Sequence, residues 1–239
     1  MANLFLCGGK PENGAKHELV ALFTTAVLRK ESKRILYIPL AMPEMVYKGV
    51  DYTYDMMFEA MRKGLSSYGV DRLEMWKDVS GKKYSDLQGY DGILIGGGNT
   101  FGLWDDFKKA GFDELLRKYI SEDGIVYGCS AGAIILGKDI GTAHFGGDPD
   151  VNRAGLKDLS ALNAVEDYAI SCHYRESDDA NLTEYSSKNR IGVIALPEEA
   201  GLLVTDEEMR IVGDSDAYMF VSSKKVRIGR GEIITRKDV

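Results

Sequence analysis

The chain has 239 residues, 44% of them hydrophobic and 28% charged, a composition for one soluble α/β domain spanning 1–239 rather than two domains. Its net charge of −7 offers no electrostatic footprint for nucleic acid or for an anionic membrane surface. Three cysteines without metal-ligand spacing argue against a disulfide framework and against structural zinc, and no run approaches the roughly 18 apolar residues of a membrane span.

Leu4 to Cys7 reads as a short strand stopped by Gly8-Gly9. His17 to Lys30 carries apolar residues at helical spacing, and Ile35 to Leu40 is a near-continuous apolar run, as in a strand buried on both faces. Glu44 to Leu65 reads mostly as helix, Arg72 to Trp76 and Gly92 to Ile95 as strands. After Gly111, the apolar residues Phe112, Leu115, Leu116, Tyr119 and Ile120 mark the clearest helix. Ile125 to Tyr127 is a strand, and Ala131 to Leu136 looks helical. Such alternation predicts βαβ units, a mostly parallel sheet and helices on both faces. From Gly141 to Gly155 the chain reads as a loop. Beyond it lie closely spaced strands at Tyr168 to Cys172, Gly192 to Leu196, Leu202 to Thr205, Met209 to Val212, Tyr218 to Val221 and Val226 to Ile228. These read as antiparallel hairpins that finish the sheet or pack beside it, with a helix at about Asp178 to Ser187.

Gly128-Cys129-Ser130-Ala131-Gly132 fits G-x-S-x-G between a strand and a helix. A sharp turn there holds the central residue strained and exposed, and the next backbone N–H faces a developing oxyanion. The rival reading makes Ser130 a helix cap. Cys129 lacks flanking glycines in its own frame and reads as a packed thiol. Gly96-Gly97-Gly98-Asn99-Thr100 follows another strand and lets backbone approach a ligand, with Gly98 as a second oxyanion donor beside Ala131.

A serine nucleophile needs a base, and there are three histidines: His17, His144 and His173. His173 directly follows a strand, where sites of parallel sheets form, and is favoured over His144. The carboxylate that orients it is open among Glu198, Glu199, Asp178 and Asp179.

Together, Ile95-Gly96-Gly97-Gly98-Asn99-Thr100-Phe101, Gly128-Cys129-Ser130-Ala131-Gly132-Ala133, His173 and Leu196-Pro197-Glu198 resemble the dipeptidase E (α-aspartyl dipeptidase) family of serine peptidases. The fold is similar to that of class I glutamine amidotransferases, with serine in place of cysteine at the elbow. The resemblance implies Ser130 as nucleophile, His173 as general base and Glu198 as its orienting carboxylate. It puts the oxyanion hole at the N–H groups of Gly98 and Ala131, and Asn99 and Thr100 at the substrate. Leu182-Thr183-Glu184-Tyr185 lacks the arginine that aspartyl dipeptidases carry between Thr and Glu, and Arg175 is the candidate substitute for reading an anionic side chain. The expectation is a cytoplasmic hydrolase of small peptides, monomeric or a small homo-oligomer, without metal or organic cofactor. Another serine hydrolase, such as an esterase, and a non-catalytic binding module of the same fold are the alternatives.

Overall fold

A computed structural model describes residues 3–9, 14–43, 45–47, 50–147 and 149–234. Strand β1 (Asn3–Cys7) leads through helix α1 (Gly14–Leu28) to β2 (Arg34–Ile38). A small hairpin, β3 (Met45–Tyr47) and β4 (Val50–Tyr52), precedes α2 (Tyr54–Ser66) and β5 (Arg72–Met75). Next come the short α3 (Tyr84–Leu87), β6 (Gly92–Ile95), α4 (Thr100–Ala110), α5 (Phe112–Ser121), β7 (Ile125–Cys129) and α6 (Ala131–Ile134). The second half runs β8 (Tyr168–Cys172), α7 (Asp179–Asn189), β9 (Gly192–Leu196), β10 (Ala200–Val204), β11 (Met209–Gly213), β12 (Ala217–Val221), β13 (Lys224–Ile228) and β14 (Ile233–Ile234).

The large sheet has the order β14-β11-β10-β1-β7-β6-β2-β5. From β1 to β5 its neighbours pair parallel, while β10, β11 and β14 add antiparallel at one edge. Its central strands are apolar on both faces because both are covered. On β1, Phe5 and Cys7 join one apolar cluster with Leu19, Phe23 and Val27 of α1. Leu4 and Leu6 join the other, with Trp104 and Phe107 of α4 and Leu116 of α5. The same division repeats on β2, where Ile35 and Tyr37 face one cluster and Leu36 and Ile38 the other.

A second sheet, β13-β12-β9-β8, packs Ile170, Cys172, Ile194 and Leu196 into the cluster shared with the large sheet. Its other face buries Ala169, Val193, Ala195 and Phe220 with Leu182 of α7.

Three sequence expectations change. The helix expected over 44–65 begins only at Tyr54, where the Thr53 side chain accepts from the Met56 N–H; before it stands the β3–β4 hairpin. Glu44, Lys48 and Gly49 of that segment, and Met1 and Ala2 of the N-terminus, lie outside the described residues, as does Asp148 of the expected loop. The strands β8 and β9, expected to form part of an antiparallel set, pair parallel, because α7 lies between them and carries the chain back across. The helix expected over 131–136 closes after four residues.

Candidate active site

Four strand ends converge at one place. Cys7, the last residue of β1, is paired in register with Cys129, the last residue of β7. Just beyond them the Ser130 N–H donates to the Cys7 carbonyl at 3.0 Å, and the His173 N–H donates to the Gly8 carbonyl at 2.8 Å. The end of β1 thus ties the turn after β7 on one side to the turn after β8 on the other. The Tyr174 N–H in turn donates to the Leu196 carbonyl at the end of β9, at 3.1 Å.

Ser130 is held at φ 50 and ψ −110, a region that costs a non-glycine residue about 1–3 kcal/mol. The two flanking glycines make that turn sterically feasible. A Cβ on Gly128 would lie 2.3 Å from the Gly132 carbonyl oxygen, and one on Gly132 would lie 2.4 Å from the Ile95 carbonyl oxygen. The Ser130 hydroxyl makes no capping bond to α6. It sits instead 2.8 Å from His173 Nε2, which disposes of the helix-cap reading.

His173 also has a positive φ, 55. Its Nδ1 lies 2.9 Å from Glu198 Oε1. Glu198 packs so closely on Gly9 that a Cβ there would meet Oε2 at 2.0 Å and the Glu198 Cα at 2.5 Å. In the sequence Gly8-Gly9 reads only as a strand stop; the signal for a role in the site is their position at the end of a parallel strand. The carboxylates of Asp178 and Asp179 are engaged elsewhere. Glu199 is exposed and its backbone carbonyl accepts from Asp214. Asp178 accepts from the Arg175 N–H, and Asp179 accepts from the Tyr174 hydroxyl and Lys225. Of the other histidines, His144 stacks on Phe101 and His17 bonds the Tyr68 hydroxyl.

The glycine-rich loop after β6 reaches the serine. A Cβ on Gly97 would lie 3.2 Å from the Ser130 Cβ. Gly98 has φ 140, and a Cβ there would stand 2.1 Å from the Ala41 carbonyl oxygen. Among the described residues the N–H groups of Gly98 and Ala131 meet no acceptor. Asn99 and Thr100 do not line the cavity. The Asn99 side chain caps α4 by accepting from Gly102 at 2.8 Å and donates to the Val151 carbonyl. Thr100 is fully buried, and its N–H donates to Asp150 Oδ2. Arg175 is exposed, lines the cavity, and pairs with no carboxylate among the described residues.

The cavity has a volume of about 930 Å³ and takes in Ser130, His173, Glu198, Gly98 and Asp150. Burial pushes the Cys172 thiol well up and the Tyr37 phenol up to about 12, and holds Tyr127 well above its ordinary value. The half-buried Cys129 turns its Sγ toward the Gly9 carbonyl at 3.6 Å. Among the described residues no three His, Cys, Asp or Glu side chains gather to hold a metal ion, and no helix is long and apolar enough to cross a membrane.

The family model described as Peptidase family S51 matches residues 4–212. The chain belongs to that family. A Listeria monocytogenes protein named an uncharacterised peptidase is 30% identical over 198 residues, covering 80% of this chain and 89% of its own. Peptidase E of Shewanella amazonensis is 24% identical over 202 residues, covering 83% and 82%. Among solved structures, a putative peptidase E from Listeria monocytogenes aligns with a TM-score of 0.64 at 25% identity, covering 90% of this chain and 100% of that one. A peptidase from an acI-B1 Actinobacterium aligns with a TM-score of 0.72 over 98% and 97%; at 17% identity it shows the shared fold. The mixed α/β architecture, with its large, mostly parallel sheet, is thus that of the peptidase E structures, as the resemblance implied.

Proposed function

We propose that this S51 peptidase is a serine peptidase that hydrolyses short peptides through an acyl-enzyme on Ser130. The observation that carries the reading is the unbroken hydrogen-bonded chain from Ser130 Oγ to His173 Nε2 at 2.8 Å and from His173 Nδ1 to Glu198 Oε1 at 2.9 Å.

In this reading Glu198 accepts a hydrogen bond from the Nδ1 N–H and so fixes the tautomer whose Nε2 lone pair faces the hydroxyl. Ser130 attacks the scissile carbonyl as its proton passes to Nε2, and Glu198 stabilises the imidazolium that forms. The carbonyl oxygen becomes an oxyanion between the N–H groups of Gly98 and Ala131. His173 then gives its proton to the leaving nitrogen, the C–N bond breaks, and the acyl group stays on Ser130 Oγ. Water, deprotonated by His173, attacks the ester, and collapse of the second tetrahedral intermediate frees the acid and restores the hydroxyl. The strain at Ser130 supports this reading, since such strain clusters where a side chain must be aimed.

The test is release of free amino acids from a panel of dipeptides, Asp-Xaa and neutral pairs included, by wild type and Ser130→Ala. Cleavage by wild type and its loss in Ser130→Ala are expected. Cleavage of simple esters but of no peptide would replace the peptidase reading with an esterase.

A further inference from the structure

We infer that the acyl-side subsite accepts a large apolar residue, so that the bond cleaved best follows an N-terminal Phe, Met or Leu rather than Asp; this rests on the serine-peptidase reading. The observation is that the cavity does not end at the catalytic chain. It continues as an arm walled by Tyr37, Met42, Met56, Met57, Met61 and Tyr68.

The arm lies across Ser130 from its base. Strand β7 is flanked by β1 on one side and β6 on the other, with β2 beyond β6. His173 is tied to the β1 side through Gly8 and comes from the four-stranded sheet. Tyr37 belongs to β2, Met42 follows it, and Met56, Met57 and Met61 belong to α2. Tyr37, Met57, Met61 and Tyr68 all belong to the apolar cluster on the α1 face of the large sheet. In acyl transfer the base must reach the leaving nitrogen, so the leaving group stays beside His173 and the acyl part extends the other way, into the arm.

The lining decides the chemistry. Methionines are unbranched and polarizable and adapt to apolar groups of varied shape. Met56 is 39% exposed, an apolar side chain left for contact at the rim. An ionised carboxylate in this arm would lose water without gaining a guanidinium from its walls, because Arg175, the one Lys or Arg side chain among the described cavity-lining residues, belongs to the turn that carries His173, two positions after it. The full cavity, about 930 Å³, lies near the upper end of the roughly 300–1,000 Å³ range of small-molecule sites, leaving room for a bulky side chain beside the peptide unit.

Initial rates on Xaa-Gly dipeptides, with Xaa as Asp, Ala, Leu, Met or Phe, test this with the leaving group constant. A matching Gly-Xaa series reports the other side. The inference predicts kcat/KM at least tenfold higher for Phe-Gly, Met-Gly and Leu-Gly than for Ala-Gly and Asp-Gly, within the roughly 10- to 200-fold that apolar pockets achieve. It also predicts that Gly64→Phe lowers the ratio of Phe-Gly to Ala-Gly kcat/KM by about tenfold. Gly64 lines the arm, a Cβ there meets nothing within 4 Å, and replacing a helical glycine favours folding. Equal rates across the Xaa-Gly series, a preference for Asp-Gly, or selectivity confined to the Gly-Xaa series would overturn the inference while loss of activity in Ser130→Ala kept the serine reading. Wild-type rates unchanged by Ser130→Ala would overturn both.

Discussion

Glu198 reaches His173 because two neighbouring strands stop in step. Cys172 of β8 is paired with Leu196 of β9, so His173 stands one residue past the pair and Glu198 two past it, with Oε1 and Nδ1 2.9 Å apart. A slip of one residue in this parallel pairing would turn Ile194 and Leu196 out of the core, so burial of those side chains fixes the register that aligns the two polar groups.

Replacing Glu198 with Gln keeps the shape of the site but removes the charge that stabilises an imidazolium and lets the wrong tautomer form. Peptide hydrolysis should lose roughly 10²- to 10⁴-fold in kcat with KM little altered. Steady-state kinetics check this; an equal change in KM with kcat retained would assign Glu198 to substrate binding instead.

Ser130→Ala should lower kcat by at least roughly 10⁴-fold with an unchanged unfolding midpoint or a slight gain, since alanine lacks the nucleophile but accepts the same small space. Activity and urea denaturation measured on one preparation separate the two effects.

Gly132→Ala tests the packing of the turn. Its Cβ would stand 2.4 Å from the Ile95 carbonyl oxygen, a backbone atom that cannot swing aside. A loss of about 1–3 kcal/mol in stability is expected from denaturant unfolding, together with a fall in activity as the turn shifts. A variant as stable and active as wild type would contradict the steric account of the motif.

Cys172 is buried and its thiol is pushed well above the usual range by that burial. Because the thiolate is the form that alkylates, Cys172 should resist iodoacetamide in the native protein near pH 8.5, about the ordinary thiol pKa, and react once unfolded. Mass mapping of alkylated peptides reads this directly.

The Tyr90 hydroxyl and the Arg34 guanidinium hold the Glu74 carboxyl below the usual carboxylate range. Its stabilising effect is therefore full above the ordinary value of about 4.3 and is lost as pH falls through the lowered one. Wild type should lose more stability than Glu74→Gln between neutral pH and about pH 3, by urea unfolding at each pH. Identical losses would remove Glu74 from the acid response.

What the sequence made legible was local. The turn at Ser130 is written in five consecutive residues, and the Gly96-Gly97-Gly98 loop in three, because steric demands on a tight backbone select small residues directly. The meeting of Ser130, His173 and Glu198 depends on the end of β1 and on the β8–β9 register, neither of which any short segment encodes. The parallel pairing of β8 and β9 was within reach, since the helix expected at 178–187 is the crossover such a pair requires. The Asn99 side chain is used to start α4, a role that side-chain chemistry alone does not separate from ligand contact, and Thr100 anchors Asp150 through its backbone N–H, which any residue but proline supplies. The hairpin before α2 was hidden by a run of apolar residues compatible with helix or strand.

The central claim is that Ser130 becomes covalently acylated. A fluorophosphonate probe followed by mass mapping of the labelled peptide tests it most directly, because the probe phosphonylates only a hydroxyl activated by a base. The account predicts one adduct, on Ser130, formed slowly or not at all in His173→Ala. No adduct, or an adduct on a residue other than Ser130, would contradict it.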